Sequence, residues 1–194
     1  MSTYLALDLG AESGRLMAVS IGESISTSEI HRFETPVTTD EKGRRCWDFP
    51  KLMNEIEISL TKAAQIAGAK YESIAVDTWG LDFGFLDRDK KIIGLPVSHR
   101  DHRTDGYLEK AANIVGKKRL HEASGAQLLE VNSIYQLLAI KEQSPEEFTE
   151  AAHFLLMPDL ILHALTGEVK SEYTIATTSG LYDVVENKWA LDLA

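Results

Sequence analysis

Three strand-type segments follow one another between residues 4 and 33 with no helix between them, and this succession restricts the fold more than any other feature. Residues 4–9 (Tyr-Leu-Ala-Leu-Asp-Leu) run straight into Gly10, residues 15–21 begin just after Gly14, and residues 24–33 show the loose alternation of a strand with one wet face. Such a run predicts an antiparallel meander at the amino terminus.

One strongly amphipathic segment comes next. Within residues 50–67, Leu52, Ile56, Leu60, Ala63 and Ala67 recur at helical spacing and line one face. Asp48 and Pro50 suit the start of this helix, and Gly68 suits its C′ position. Residues 73–77 (Ser-Ile-Ala-Val-Asp) read as a short strand buried in a sheet. Residues 81–86 with Ile92 and Ile93 read as a hairpin about the polar turn 87–91. From Thr104 onward the pattern predicts helices near 104–115, 133–143 and 158–165. The sum is an α/β arrangement with a mixed sheet and flanking helices, undivided by any Pro/Gly/Ser-rich linker over residues 1–194.

Charge and composition narrow the function. Acidic residues outnumber basic ones 30 to 20, a formal net charge of −10 that argues against nucleic acid or anionic lipid as partner. A small anionic ligand stays open, because a nest of backbone N–H groups binds phosphate on an acidic protein. Cys46 is the single cysteine, so no disulfide forms within the chain. No signal peptide is visible, and the apolar stretch 154–165 is broken by Pro158, Asp159 and His163, so a soluble cytoplasmic protein is expected.

Three segments could carry chemistry. In Asp8-Leu9-Gly10-Ala11-Glu12-Ser13-Gly14-Arg15, two glycines let the backbone take conformations closed to other residues and approach a ligand. Successive N–H groups there could point at one phosphate, and Asp8 could hold Mg²⁺ through water; an ordinary tight hairpin reads the same way. Asp77-Thr78-Trp79-Gly80-Leu81-Asp82-Phe83 ends a strand with an indole, a glycine and carboxylates, either a small-molecule site or a strand–turn–strand with aromatic core. In this segment Trp79 could stack on a sugar face, and Asp77 or Asp82 could accept hydroxyl protons. The polar loop from Pro96 to Thr104 holds His99 and His102, too few ligands for a transition-metal site, so bonding within the loop is the simpler reading. The hydroxyl-rich stretch 174–179 suits a turn beside a polyol or a plain loop equally.

The order of these segments resembles the amino-terminal half of the FGGY carbohydrate kinases over nearly the whole chain. Besides the first two motifs, the carriers include Ile30-His31-Arg32-Phe33, Gly94-Leu95-Pro96-Val97, Arg100-Asp101-His102-Arg103-Thr104 and Tyr135-Gln136-Leu137. Leu155-Leu156-Met157-Pro158-Asp159, Leu165-Thr166-Gly167 and Glu172-Tyr173-Thr174-Ile175-Ala176-Thr177-Thr178 complete the series. The resemblance implies the ribonuclease H-like fold of actin, hexokinase and chaperone ATPases. It also implies ATP- and Mg²⁺-dependent phosphorylation of a sugar. The Asp77-Thr78-Trp79-Gly80 segment points within the family to L-rhamnulose, phosphorylated at its 1-hydroxyl, with fuculose, xylulose or a non-catalytic sugar-binding module as alternatives.

Carried over by position, Ala11, Glu12, Ser13, Gly14 and Arg15 would form the first ATP phosphate loop, with the Glu12 side chain turned to solvent. Asp8 would be the Mg²⁺-side carboxylate. Gly80 would touch the sugar, with Trp79, His99 and Asn132 as further sugar-site candidates. Family members are considerably longer, so the resemblance implies that residues 1–194 are one domain or fragment. The catalytic aspartate, the second phosphate loop and the adenosine pocket are then expected in a carboxy-terminal domain beyond residue 194.

Overall fold

β1 (Ser2–Leu9) is bonded along both edges in the computed structural model, which describes residues 2–125 and 127–193. It pairs antiparallel with β2 (Ser13–Ile21), which pairs antiparallel with β3 (Ile25–Glu34). Leu5, Leu7 and Leu9 alternate into the core, the period of a strand with one dry face. β2 starts two residues earlier than the sequence predicts, so Ser13 and Gly14 lie inside the strand and not in the turn.

After β4 (Val37–Thr39) and β5 (Arg45–Trp47) comes α1 (Phe49–Ala64). A parallel partner for β1 requires a crossover, and α1 supplies it. Asp48 caps its first turn by accepting from Lys51 N at 3.2 Å, and Phe49, Leu52, Ile56, Ser59 and Ala63 form its buried face. The helix stops at Ala64, one turn short of the predicted end. Ile66 and Ala67 are exposed, and Gly68 takes its positive φ in the turn beyond. β6 (Ile74–Thr78) then closes the sheet in the order β3-β2-β1-β6. It is an edge strand with Ala75 and Asp77 exposed, not the fully buried strand its apolar sequence suggests.

The chain divides into two compact units: the stretch up to Thr38 with Trp47–Trp79, and Thr39–Cys46 with everything from Gly80 onward. The second unit is built on β7 (Phe83–Leu86), buried throughout and paired antiparallel with β8 (Ile92–Ile93). A 3-10 turn at His102–Thr104 leads into α2 (Tyr107–Val115), α3 (Lys117–Ser124), α4 (Ser133–Gln143) and α5 (Pro145–Glu150). The apolar stretch 154–165 falls in two elements: His153–Leu156 is β9, antiparallel to β7 and not foreseen in the sequence, and α6 (Met157–Thr166) follows close to the expected 158–165 with Pro158 in its first turn. α7 (Tyr173–Ala176), a 3-10 turn at Thr177–Ser179, and the pair β10 (Tyr182–Asp183) and β11 (Lys188–Trp189) complete the unit. Phe83, Phe85, Ile140, Leu156 and Ala176 form one core cluster, and Ala111, Leu120, Ile134, Tyr135 and Leu181 form another.

An ionic network ties the tip of the β4–β5 hairpin to α5. Arg44 donates its two terminal nitrogens to Glu147 at 2.9 and 3.0 Å and its Nε to Asp40 at 2.6 Å. Lys42 Nζ reaches Ser144, Glu146 and Glu147 at 2.9, 2.6 and 2.8 Å. Burial pushes the Glu147 carboxyl up, but the bonds from Arg44 and Lys42 outweigh it and hold the group below its usual range.

Asp159, in the first turn of α6, is almost wholly buried. Its Oδ1 accepts from Glu172 N at 3.0 Å, while Oδ2 has no partner among the described residues. Burial, reinforced by the nearby Glu172 carboxylate, pushes its pKa from 3.8 up to about 6. A value raised on folding contributes stability that is complete below 3.8 and lost as the pH rises through about 6. Asp159→Asn is therefore expected to be more stable than the parent above pH 6, by about 1–3 kcal/mol, with the gap closing toward pH 4. Urea denaturation across this pH range measures it, and a gap independent of pH would contradict the assignment.

Candidate functional site

In the first unit, the turn from β1 to β2 closes by Gly10 N donating to Ser13 O at 2.9 Å. Thr35 pins it from the end of β3, its hydroxyl donating to Gly10 O at 2.7 Å and its N–H to Glu12 O at 3.0 Å. Ala11 and Ser13 are half-buried, and Glu12 is exposed. Neither glycine is there for left-handed backbone, since positive φ occurs elsewhere. A Cβ on Gly10 would press on Ser13 O at 3.2 Å, while one on Gly14 would stand 2.6 to 2.7 Å from the Leu9 and Phe33 side chains. Gly14 is thus a packing position between two core residues, and the expectation of conformational freedom there is corrected.

Asp8 lies opposite Arg15 in the β1–β2 register and beside Asp77 in the parallel β1–β6 register. Arg15 holds the Asp8 Oδ2 oxygen through Nε at 2.8 Å and Nη2 at 2.7 Å. The strand ends therefore offer two neighbouring carboxylates and one guanidinium. Among the described residues no group of three His, Cys, Asp or Glu side chains could hold a metal directly. The donor set fits an ion such as Mg²⁺ that keeps most of its waters and takes phosphate oxygens as further ligands. Trp79, at the end of the same unit, lies with its ring centroid 4.3 Å from that of fully buried Trp47 and stays partly exposed.

In the second unit, Asp82 is completely buried, with Oδ2 2.8 Å from His99 Nδ1 and Oδ1 3.4 Å from Gln136 Nε2. The sequence offers Asp82 as a hydroxyl acceptor; the structure turns it inward, behind His99. Gln136 Oε1 in turn accepts from Arg103 Nη2 at 2.5 Å. Burial brings the Arg103 pKa down to about 10 despite the Asp101 and Asp82 carboxylates. His102, almost fully exposed beside Asp105, stands apart from this network, so the two histidines do not form a metal pair.

Asn132 is buried just before α4, where its Oδ1 accepts from Leu129 N at 2.8 Å and closes its own loop. Gly80 meets Thr178, whose side chain would stand 3.1 Å from a Cβ there. The hydroxyls of Thr177, Thr178 and Ser179 each bond back three residues, at 2.7, 2.8 and 2.6 Å. Gln136, Ser133 and Thr178 are the polar residues that sequence reasoning missed. Gln136 and Thr178 lie in the Tyr135-Gln136-Leu137 and hydroxyl-rich segments, while Ser133 carried no signal of its own. An apolar groove of about 520 Å³ beside Phe85, Phe148, Phe154 and Trp189 holds none of the predicted residues.

Residues 3–194 match the model of the FGGY family of carbohydrate kinases, N-terminal domain. The chain belongs to this family. It is 41% identical to a rhamnulokinase of Halalkalibacterium halodurans over 193 residues, which is 100% of this chain and 41% of that protein. It is also 41% identical to a rhamnulokinase of Klebsiella pneumoniae over 95% of this chain and 38% of that protein. The chain thus spans about two-fifths of the length of these relatives. Among solved structures, a ligand-bound xylulose kinase from Lactobacillus acidophilus superposes with a TM-score of 0.87 at 16% identity, covering 100% of this chain and 39% of that one. A glycerol kinase of Plasmodium falciparum with ADP gives 0.78 at 13% identity, covering 100% and 40%. These likenesses establish the actin/hexokinase-like α/β fold that the sequence predicts.

Three variants follow from this geometry. Gly14→Ala is expected to lose about 1–3 kcal/mol of unfolding free energy by overpacking Leu9 and Phe33, measured by urea denaturation; an unchanged midpoint would contradict the packing role. Asp82→Ala removes the buried carboxylate that meets His99 Nδ1 and Gln136 Nε2 and is expected to cost about 3 kcal/mol or more by the same denaturation, while His102→Ala changes stability by less than about 0.5 kcal/mol.

Proposed function

We propose that this chain is the amino-terminal domain of an ATP-dependent kinase that transfers the γ-phosphoryl group to the 1-hydroxyl of L-rhamnulose. The observation that carries this reading is the 41% identity to two rhamnulokinases, extending over at least 95% of the chain. The solved xylulose and glycerol kinases lie far lower in identity and support the fold only.

In this reading Ala11, Glu12, Ser13, Gly14 and Arg15 approach the ATP phosphates through their backbone, the Glu12 side chain being exposed to water. Mg²⁺ bound with ATP supplies charge neutralisation on the phosphates, and Asp8 takes part in holding it through water. Arg15 orients Asp8 and balances its charge. Gly80 contacts the sugar, with Trp79 offering the part of its indole not packed on Trp47. His99 joins as a ring fixed by Asp82, and Asn132 as the residue heading α4. The proton of the attacking hydroxyl goes to an aspartate in the carboxy-terminal domain of the complete kinase. A cytoplasmic location fits such an enzyme; among the described residues no helix is long and apolar enough to cross a membrane.

Coupled ADP release by the complete kinase over a ketose panel tests the assignment. L-rhamnulose is expected to give the highest kcat/KM, and preference for xylulose or fuculose would move the chain to another branch. Trp79→Ala is expected to raise the sugar KM roughly ten- to hundredfold with the ATP KM unchanged. Residues 1–194 alone are expected to show no sugar-dependent turnover, since loss of the base alone removes about 10²–10⁴-fold of rate.

A further inference from the structure

Leu81 has φ +78°, a conformation that costs any residue with a branched side chain. Among the described residues the other non-glycine positions with positive φ are Lys90, in the β7–β8 turn, and Asn187, in the β10–β11 turn. Leu81 sits in no hairpin tip. Asp82 N donates to Gly80 O at 3.0 Å across this single residue, which is a γ-turn of the rare strained kind.

The strain is held from two directions. The Leu81 carbonyl accepts from Ser133 Oγ at 2.5 Å and from Gln136 Nε2 at 3.2 Å, donors one helical turn apart at the start of α4. The Leu81 N–H donates to Thr178 Oγ1 at 3.2 Å. The Thr178 hydroxyl proton is committed to Ile175 O at 2.8 Å, which leaves an oxygen lone pair for Leu81. Ser133 and Gln136 are fully buried, so these bonds work free of competition from water. Glycine at position 80 gives Thr178 the room to approach. A chain that needed only to turn here would use glycine at position 81 and no clamp; strain this heavily determined is a device for holding a backbone in one orientation.

We propose that Ser133 and Thr178 are positioning residues, which hold Leu81 in its γ-turn so that the Gly80 backbone meets a sugar hydroxyl in a single orientation. This rests on the sugar role proposed above for Gly80. It assigns the two hydroxyls to ground that neither residue touches.

Two readouts separate the clamp from the kinase reading. The first is NMR of residues 1–194, in which the backbone carbon shifts of Leu81 report its left-handed φ. Ser133→Ala and Thr178→Val should each move these shifts toward ordinary values, with the rest of the spectrum retained. The second is kinetics of the complete kinase. Each variant should raise the ketose KM by about tenfold and leave the ATP KM within about twofold. Adding Leu81→Gly to Ser133→Ala should restore the ketose KM to within about threefold, because glycine adopts positive φ without support. Left-handed shifts that persist in both variants would overturn the clamp. Shifts that move while the ketose KM stays put, or a KM that Leu81→Gly does not restore, would overturn the positioning role. If the complete parent phosphorylates no ketose, the kinase reading fails and takes that role with it, while the shifts still decide the clamp.

Discussion

The double pairing of β1 is the constraint on which the first unit rests. An antiparallel neighbour on one edge and a parallel one on the other fix the strand twice, and the parallel neighbour obliges the chain to cross back through α1. Leu5, Leu7 and Leu9 then have one possible face, so Asp8 falls on the other. Its placement beside both Arg15 and Asp77 is a consequence of register, set by buried leucines that have no chemistry of their own. A one-residue slip would bury the carboxylate and expose the core.

The second unit is organised around polar atoms as much as apolar ones. Asp82, Gln136 and Arg103 form a connected buried series that reaches half-buried His99, and Leu81 is drawn into it through Gln136. Buried groups of this kind add little net stability over well-packed apolar ones, but losing one partner is costly, so the arrangement favours one geometry over its near alternatives. The same logic accounts for Asn132, which spends its carbonyl oxygen on shaping the loop before α4.

What could be read from the sequence depended on whether the signal was local. The strand β1 and the helix α1 carry complete hydrophobic periods within themselves. The short strand β9 does not, because four apolar-rich residues before a helix read equally well as its approach. The division into two units left no trace, since the chain passes between them at Thr38, Cys46 and Trp79 without a linker. Gly14 was visible as a glycine but not as a gap between Leu9 and Phe33, and the bond between Asp82 and Gln136 joins residues 54 apart. The Gly10–Gly14 turn was legible because adjacent residues build it; the approach of Asp77 to Asp8 and the clamp on Leu81 were not, because distant segments build them.

The hairpin tip at Thr39–Cys46 also sets an order of events during synthesis. Lys42 and Glu146 are separated by 104 positions, so the tip leaves the ribosome well before the helix that will hold it exists. Contacts of such long range form late, because the intervening chain must first be ordered. Until then the tip is in water, and its run of Thr39, Asp40, Glu41, Lys42, Gly43, Arg44 and Arg45 is one that water solvates without penalty. A hydrophobic tip in the same place would spend that interval as an adhesive edge open to other nascent chains. The charges that lock the finished fold thus also keep its unfinished form from sticking.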